Sequence, residues 1–249
     1  MFLAIIIVIT IFIIIAYGAN SWIARFTTKK KYDIFVINLD KHKDRLKHFD
    51  KLMKTQNIPY TRIEAVDGKN MPLEKWPCAD AKKLYQGTKA LFLSNLKVLE
   101  YIKEHPTEAE WFMVFEDDSV IPKNFIKEVD KALRENSEKK VVVFDERAKC
   151  QEDGYPKWTT CCILYHKSLI PMLEKELNWK LSEYMQSFLK EQNERICEYD
   201  IYLYKLLKRY KVPTGCIQIV KSDTFPSSIG TSIGSTVWQK LNRKLFGRG

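Results

Sequence analysis

Short apolar runs and stretches with helical periodicity alternate along the chain from residue 32 onward. Runs rich in β-branched and aromatic residues predict buried strands, whereas apolar residues that recur every three or four positions predict amphipathic helices. The predicted strands span residues 32–39, 62–66, 111–115, 141–144, 160–165 and 215–220, and the predicted helices lie within residues 44–53, 87–104, 125–133, 167–177 and 181–211. Because strands and helices alternate, the chain is predicted to form an α/β domain with a mostly parallel central sheet.

One predicted strand ends in three consecutive carboxylates. Five apolar residues, 111–115, lead directly into Glu116, Asp117 and Asp118. Adjacent carboxylates repel one another and lose hydration on burial, and a divalent cation that prefers oxygen ligands relieves both costs. In open α/β sheets the ligand crevice lies at the carboxyl ends of the strands, where this triplet is expected. A solvated acidic turn after a core strand is the alternative interpretation.

The N-terminal segment is far more apolar than the rest. Residues 2–16 are almost wholly Ile, Val, Leu, Phe and Ala, and the run extends to Ile23. Because this length can span a bilayer and no Lys or Arg precedes it, an uncleaved transmembrane anchor is favoured over a signal peptide. Basic residues follow, and the positive-inside bias favours a cytoplasmic globular domain. The predicted organisation is an anchor (1–24), a basic linker (25–31), a globular domain (32–230) and a basic tail (231–249).

The charge of the chain favours anionic partners. Lys plus Arg number 41 and Asp plus Glu number 31, which gives a formal net charge of +10. The chain has no aromatic–basic repeat, zinc-finger spacing or arginine-rich tract, and this argues against nucleic acid as the partner. Six cysteines occur without a CxxC pair, so no zinc ribbon is predicted. Cys161 and Cys162 lie in an apolar run and are expected in the core.

Several short blocks occur in order along the predicted domain. They are residues 35–40 (FVINLD) with Asp44-Arg45 downstream, 58–60 (IPY) followed by 64–68 (EAVDG), 87–99 with LSNLKVL, 114–118 (VFEDD), 160–168, Tyr199-Asp200 and 227–229 (SSI). In this order the blocks resemble glycosyltransferase family 25, which includes bacterial lipooligosaccharide galactosyltransferases and collagen galactosyltransferase domains. Two positions depart from the family pattern. Asn95 stands where the family usually has His, and the block at Thr160 lacks the usual Gly-Tyr.

The resemblance implies a single GT-A-like domain that moves a hexose, galactose or glucose, from a nucleotide sugar, with UDP as the expected nucleotide. The implied acceptor is a hydroxyl of a glycan, a lipid-linked sugar or a protein. Mn²⁺ or Mg²⁺ would neutralise the leaving diphosphate. Glu116 and Asp118 are the expected metal ligands, since alternate residues of an extended segment point the same way. Membrane-anchored enzymes of this kind usually have a lumenal domain, so the side of the membrane stays open.

The resemblance and the crevice geometry together indicate further site residues. Those expected to contact the donor are Asn38, Asp40, Arg45, Ser94 and Asp117. Family members are expected to invert the anomeric centre, which requires a carboxylate to deprotonate the acceptor hydroxyl. Asp200 is the first candidate by resemblance, and Asp145, which follows an apolar strand, is the second.

Two other functions are compatible with the same residues. A metal-dependent phosphoesterase or nuclease would use the acidic triplet together with Asp145 to bridge two metal ions. A catalytically inactive, membrane-tethered domain would bind the donor without transferring sugar, and the departures at Asn95 and Thr160 are compatible with it.

Overall fold

A computed structural model of the protein describes residues 30–70, 86–156, 160–178, 181–191 and 199–223. The predicted anchor, the basic tail and the 227–229 block lie outside these ranges. Within the described ranges, none of the helices has the length and apolar character needed to cross a bilayer.

The described chain alternates strands and helices, as predicted. The strands are β1 (Tyr32–Asn38), β2 (Thr61–Glu64), β3 (Trp111–Glu116), β4 (Ser119–Val120), β5 (Val141–Phe144), β6 (Cys162–His166), β7 (Thr214–Ile217) and β8 (Lys221–Ser222). The helices are α1 (Lys43–Thr55), α2 (Gln86–Glu104), α3 (Phe125–Glu135), α4 (Ile170–Leu177), α5 (Glu183–Glu191) and α6 (Tyr199–Arg209), with 3₁₀ turns at Gly68–Asn70 and Lys167–Leu169. The helical stretch predicted at 181–211 therefore contains two helices.

Six strands form the central sheet in the order β2-β1-β3-β6-β5-β7. Strand β1 pairs in parallel with β2 and β3, and β5 pairs in parallel with β7. Only β6 runs against its neighbours β3 and β5. These pairings confirm the predicted α/β class and the mostly parallel sheet.

Helices cover both faces of the sheet, which explains why its central strands are continuous apolar runs. On one face Phe92 of α2 and Tyr202 of α6 pack in the core. On the other face Phe49 of α1 and Phe125 of α3 each contact Phe115 of β3.

The carboxyl edge of the sheet is built from the ends of β1, β3 and β5. Strand β1 ends at Asn38 and β3 at Glu116, and Asp145 follows β5 directly. A second, two-stranded sheet of β4 and β8 lies beyond the acidic triplet, with Ser119 opposite Ser222. Asn38, the acidic triplet and Asp145 therefore share one edge of the fold.

Two of the four cysteines in the described ranges form a disulfide that the sequence spacing did not predict. Cys150, in the loop after β5, is bonded to Cys216 of β7, 66 residues later. Cys161 and Cys162 are buried and unbonded, which confirms their expected place in the core. The disulfide fixes the polar loop after β5 to the end of the central sheet.

Candidate active site

The acidic triplet occupies the end of β3 and a tight turn. Glu116 is the last residue of β3, Asp117 and Asp118 form the turn, and Ser119 begins β4. The carbonyl of Cys161 accepts hydrogen bonds from the Glu116 N–H at 3.0 Å and the Ser119 hydroxyl at 2.7 Å. The prediction that the Glu116 and Asp118 side chains point the same way assumed an extended segment. Residues 117 and 118 form a turn instead, and this turn sets the directions of both side chains.

Asp117 points into the protein and is held by two partners. Asn38 donates from Nδ2 to Asp117 Oδ2 at 2.7 Å, and Arg45 donates from Nη1 to Asp117 Oδ1 at 3.0 Å. All three side chains are buried. The Asn38–Arg45–Asp117 network therefore joins the acidic turn to β1 and α1, with both carboxylate oxygens of Asp117 accepting from the protein.

Asp40 lies at the exposed rim of this network. Arg62 donates from Nε to Asn38 Oδ1 at 3.0 Å and from Nη2 to Asp40 Oδ1 at 3.3 Å. The Asp40 side chain is 70% exposed. The structure thus brings four of the five predicted donor-contacting residues to the carboxyl edge of the sheet beside the acidic triplet, called the acidic edge below. Whether they touch a donor stays a prediction.

The fifth predicted donor-contacting residue, Ser94, holds α2 against the segment after β2. Its hydroxyl donates to the Ala90 carbonyl at 2.6 Å and accepts from the Val66 N–H at 2.9 Å. Asn95, the family departure, donates from Nδ2 to the Leu91 carbonyl at 2.9 Å. Both side chains are buried, so they are not ordinary helix-surface residues.

Glu116 and Asp118 share a poorly solvated site. Burial, and then the charge of Asp118, raises the pKa of Glu116 to about 7, although a hydrogen bond from the Thr160 hydroxyl acts the other way. Burial, and then the charge of Asp117, raises the pKa of Asp118. Oδ1 of Asp118 is buried without a hydrogen-bond partner among the described residues. A bound cation would relieve each of these costs.

The two carboxylates fit a cation that takes its other ligands from a substrate. No group of three or more His, Cys, Asp or Glu side chains suited to a metal occurs within the described ranges. Mg²⁺ is commonly held by one or two carboxylates plus substrate phosphates and water. Such a site requires two neighbouring carboxylates with an oxygen that the protein leaves unbonded. Glu116 and Asp118, with the buried Oδ1 of Asp118, meet this requirement.

Asp145 is wholly buried and bound by an arginine that the sequence analysis did not single out. Arg147 donates to Asp145 from its backbone N–H at 2.8 Å, from Nε at 3.0 Å and from Nη2 at 2.8 Å. Arg147 Nη2 also donates to Ser222 Oγ at 2.8 Å. An arginine two residues after an acidic strand end was the signal available in the sequence.

Asp200 lies on helix α6, and its charge acts on Glu116 of the acidic triplet. It lies in the first turn of that helix, partly exposed, and its Oδ1 accepts from the Ile201 N–H at 2.7 Å. After burial and Asp118, its charge adds to the effects that raise the pKa of Glu116. Both candidate bases therefore lie near the acidic site, but only Asp145 is fully enclosed.

Comparison with known sequences identifies the class of protein. The sequence model of glycosyltransferase family 25 (LPS biosynthesis protein) matches residues 31–159, slightly more than half of the chain. The chain therefore belongs to glycosyltransferase family 25 and is a glycosyltransferase. No curated protein sequence matches it.

Solved structures with a similar fold share little sequence with the chain. A glycosyltransferase involved in glycosylation of the major capsid of PBCV-1 is 14% identical, with a TM-score of 0.46, and the match covers 79% of this chain and 94% of that one. The galactosyltransferase LgtC, in complex with donor and acceptor sugar analogs, is 12% identical, with a TM-score of 0.44 over 86% of this chain and 96% of that one. The 4-diphosphocytidyl-2C-methyl-D-erythritol synthase of Anaerococcus prevotii is 13% identical, with a TM-score of 0.42 over 86% and 99%. At TM-scores below 0.5, these similarities establish neither a substrate nor a bound ligand for this chain.

The raised pKa of Glu116 predicts a pH-dependent loss of stability. A carboxyl whose pKa rises from 4.5 to about 7 on folding destabilises the folded state progressively as pH rises through that window. With a chelator present, the free energy of unfolding should fall between pH 4.5 and 7, and Glu116→Gln should remove up to about 3 kcal/mol of that fall. Urea unfolding at a series of pH values measures this. Glu128→Gln, at an exposed position on α3, is the control and should follow the wild-type profile. A Glu116→Gln profile identical to wild type would contradict the prediction.

Proposed function

We propose that the enzyme transfers galactose or glucose from a UDP-linked donor to a hydroxyl of a glycan, a lipid-linked sugar or a protein. The main support is the Glu116–Asp118 pair at the carboxyl edge, with its buried, unpartnered carboxylate oxygen. A nucleoside diphosphate that leaves from this edge needs positive charge beside it. Membership of family 25 supports glycosyl transfer as the reaction.

A divalent cation, Mn²⁺ or Mg²⁺, would be held by Glu116 and Asp118 and would neutralise charge on the departing diphosphate. The protein's part is to keep these two carboxylates in place. Asp117, bound by Asn38 and Arg45, anchors the turn from the inside. The Thr160 hydroxyl orients Glu116 from the neighbouring strand.

For the base that takes the acceptor proton, the contacts favour Asp200 over Asp145. Asp145 is 0% exposed and accepts three hydrogen bonds from Arg147, which enclose it. Asp200 is partly exposed at the start of α6, and its charge acts on Glu116. A base must reach the proton that it removes, and the more exposed carboxylate meets that need better.

The two alternatives receive less support. A two-metal phosphoesterase needs a second pair of available carboxylates, whereas Asp117 and Asp145 are each committed to an arginine. An inactive binding domain would bind the donor without turnover. Thr160, although it departs from the family block, still donates a hydrogen bond to Glu116, which supports a working site.

We further propose that residues 1–24 anchor the protein and that the enzyme domain folds in an oxidising compartment. The uninterrupted apolar run supports the anchor. Disulfides persist mainly outside reducing compartments, so the Cys150–Cys216 bond favours a lumenal or extracytoplasmic domain. This bond weighs against the cytoplasmic side that the positive-inside bias favours.

Asp118→Asn should remove transfer without weakening the fold. Loss of one electrostatic partner of developing charge typically costs about 10²- to 10³-fold in turnover. The Tm without metal should stay level or rise, because a buried charge is removed, and the added stability from Mn²⁺ plus UDP should disappear. Release of UDP from nucleotide sugars and thermal melts of one preparation measure both effects.

Asp117→Asn, the same chemical change one residue earlier, is the matched control for that experiment. It should lower the Tm, because it removes the buried ion pair between Arg45 and Asp117. Should Asp118→Asn retain both turnover and the metal-linked Tm shift, the triplet would be an acidic turn without a bound cation.

Asp200→Asn should slow transfer far more than it alters donor binding. A positioned base contributes about 10²- to 10⁴-fold, and the asparagine side chain is nearly isosteric but cannot accept the proton. The turnover number and the Kd for UDP are the quantities to compare. Near wild-type turnover in Asp200→Asn would remove Asp200 from this role.

The anchor and the disulfide can be examined on protein from its native host. Intact-mass analysis should give a chain that retains residues 1–24. Cys150 and Cys216 should resist alkylation until a reductant is added, because both are disulfide-bonded. A mature N-terminus near Ala19 would refute the anchor, and immediate alkylation of both cysteines would refute the oxidising compartment.

A further inference from the structure

Arg147 lies at the same carboxyl edge of the sheet as the acidic turn. It follows β5 by three residues, and its Nη2 donates to Ser222 Oγ at 2.8 Å. Ser222 of β8 is paired with Ser119, the residue directly after Asp118. The next N–H on that strand, from Asp223, donates to the Asp118 carbonyl at 2.7 Å. The guanidinium and the acidic turn are therefore held by the same small sheet.

The guanidinium is fixed on one side and accessible on the other. The Asp145 side chain is 0% exposed, whereas that of Arg147 is 56% exposed. The contacts to Asp145 and Ser222 use Nε and Nη2, and Nη1 has no hydrogen-bond partner within the described part of the chain. A buried carboxylate that grips one edge of an arginine orients its remaining donors toward an anion at low entropic cost.

Charge balance explains why this site needs a positively charged side chain in addition to a metal ion. Glu116 and Asp118 both belong to the end of β3 and the turn that follows it. Two ionised carboxylates balance the charge of one divalent cation, so an incoming diphosphate brings negative charge that the turn and the ion leave uncompensated. The Arg147 guanidinium is joined to this turn through Ser222, which pairs with Ser119.

We propose that Arg147 binds the diphosphate of the nucleotide-sugar donor and that Asp145 is the positioning residue that aims it. This inference rests on the proposed function, since it names a further binding group of the same site. Arginine donors beside a leaving phosphate stabilise charge that develops as the bond breaks. The Cys150–Cys216 bond, three residues further along the loop, holds this segment to β7 and so limits movement of the guanidinium.

The competing explanation is a structural one, in which Arg147 only fastens the loop after β5 to β8. The two explanations differ in what happens to nucleotide binding when the fold is intact. Arg147→Met alone would remove the ion pair of the buried Asp145, which typically costs about 3–5 kcal/mol of stability. The double variant Asp145→Asn/Arg147→Met removes that cost, so the comparison with Asp145→Asn isolates the guanidinium.

The experiment is titration calorimetry of the full chain with UDP in the presence of Mn²⁺. The double variant should bind UDP about 10- to 100-fold more weakly than Asp145→Asn, in keeping with the loss of a charged hydrogen-bond donor. Arg147→Lys should fall between wild type and the double variant, because it keeps the charge and loses the planar fork. Uridine binding, followed by ligand-observed NMR, should be unchanged, since uridine has no phosphate.

Arg134→Met is the control for the change in net charge. Arg134 is exposed on α3, and its charge acts on Tyr32 at the opposite edge of the sheet. This variant should bind UDP as wild type does.

Steady-state kinetics of Arg147→Lys provide a second test. The donor KM should rise and kcat should fall while the acceptor KM stays the same, and a role limited to fastening the loop would not produce this difference.

The outcomes distinguish failure of the proposed function from failure of the role proposed for Arg147. If wild type does not bind UDP with Mn²⁺, the nucleotide assignment fails and the role of Arg147 fails with it. If wild type binds UDP and the double variant binds as tightly as Asp145→Asn, Arg147 only fastens the loop and the proposed transferase stands. An equal loss of uridine and UDP binding would also overturn a phosphate-specific role.

Discussion

The ion pair between Asp117 and Arg45 is the interaction on which the acidic edge depends. Three adjacent carboxylates at the end of a buried strand are mutually destabilising unless their charges are separated. Arg45 and Asn38 bind both oxygens of the middle carboxylate inside the protein, which separates it from Glu116 and Asp118. Without that inward anchor, the turn could adopt several conformations and Glu116 and Asp118 would not be held together.

The antiparallel strand β6 explains how the site is completed from the other side. A strand that runs against its neighbours begins at the carboxyl edge, so its first residues meet the ends of β3 and β5. Thr160 and Cys161 precede β6 and contact Glu116 and Ser119. A wholly parallel sheet would place the end of a strand there, and these contacts would require a different connection.

The sequence predicted the elements well because their signal is local. The central strands are continuous apolar runs, and 141–144 is the observed extent of β5. Contacts between distant residues have no such signal. Arg45 and Asp117 are 72 residues apart and Cys150 and Cys216 are 66 apart, and neither pairing follows from spacing. Arg147 was missed for a different reason, since its partner Asp145 is only two residues away but an arginine in a polar loop resembles ordinary solvated surface until the burial of that partner is known.

Burial also changes the meaning of Asp145. In the sequence it is an acid at the end of an apolar strand, and that position suits a base as well as a structural carboxylate. Enclosure and three donors from Arg147 fit the second role better, because a carboxylate that the protein encloses cannot reach the hydroxyl of an acceptor. The acidic edge then divides its carboxylates by burial. Asp117 and Asp145 are enclosed by the protein, and each is bonded to an arginine. In the proposed function, Glu116 and Asp118 hold the ion and Asp200 takes the acceptor proton.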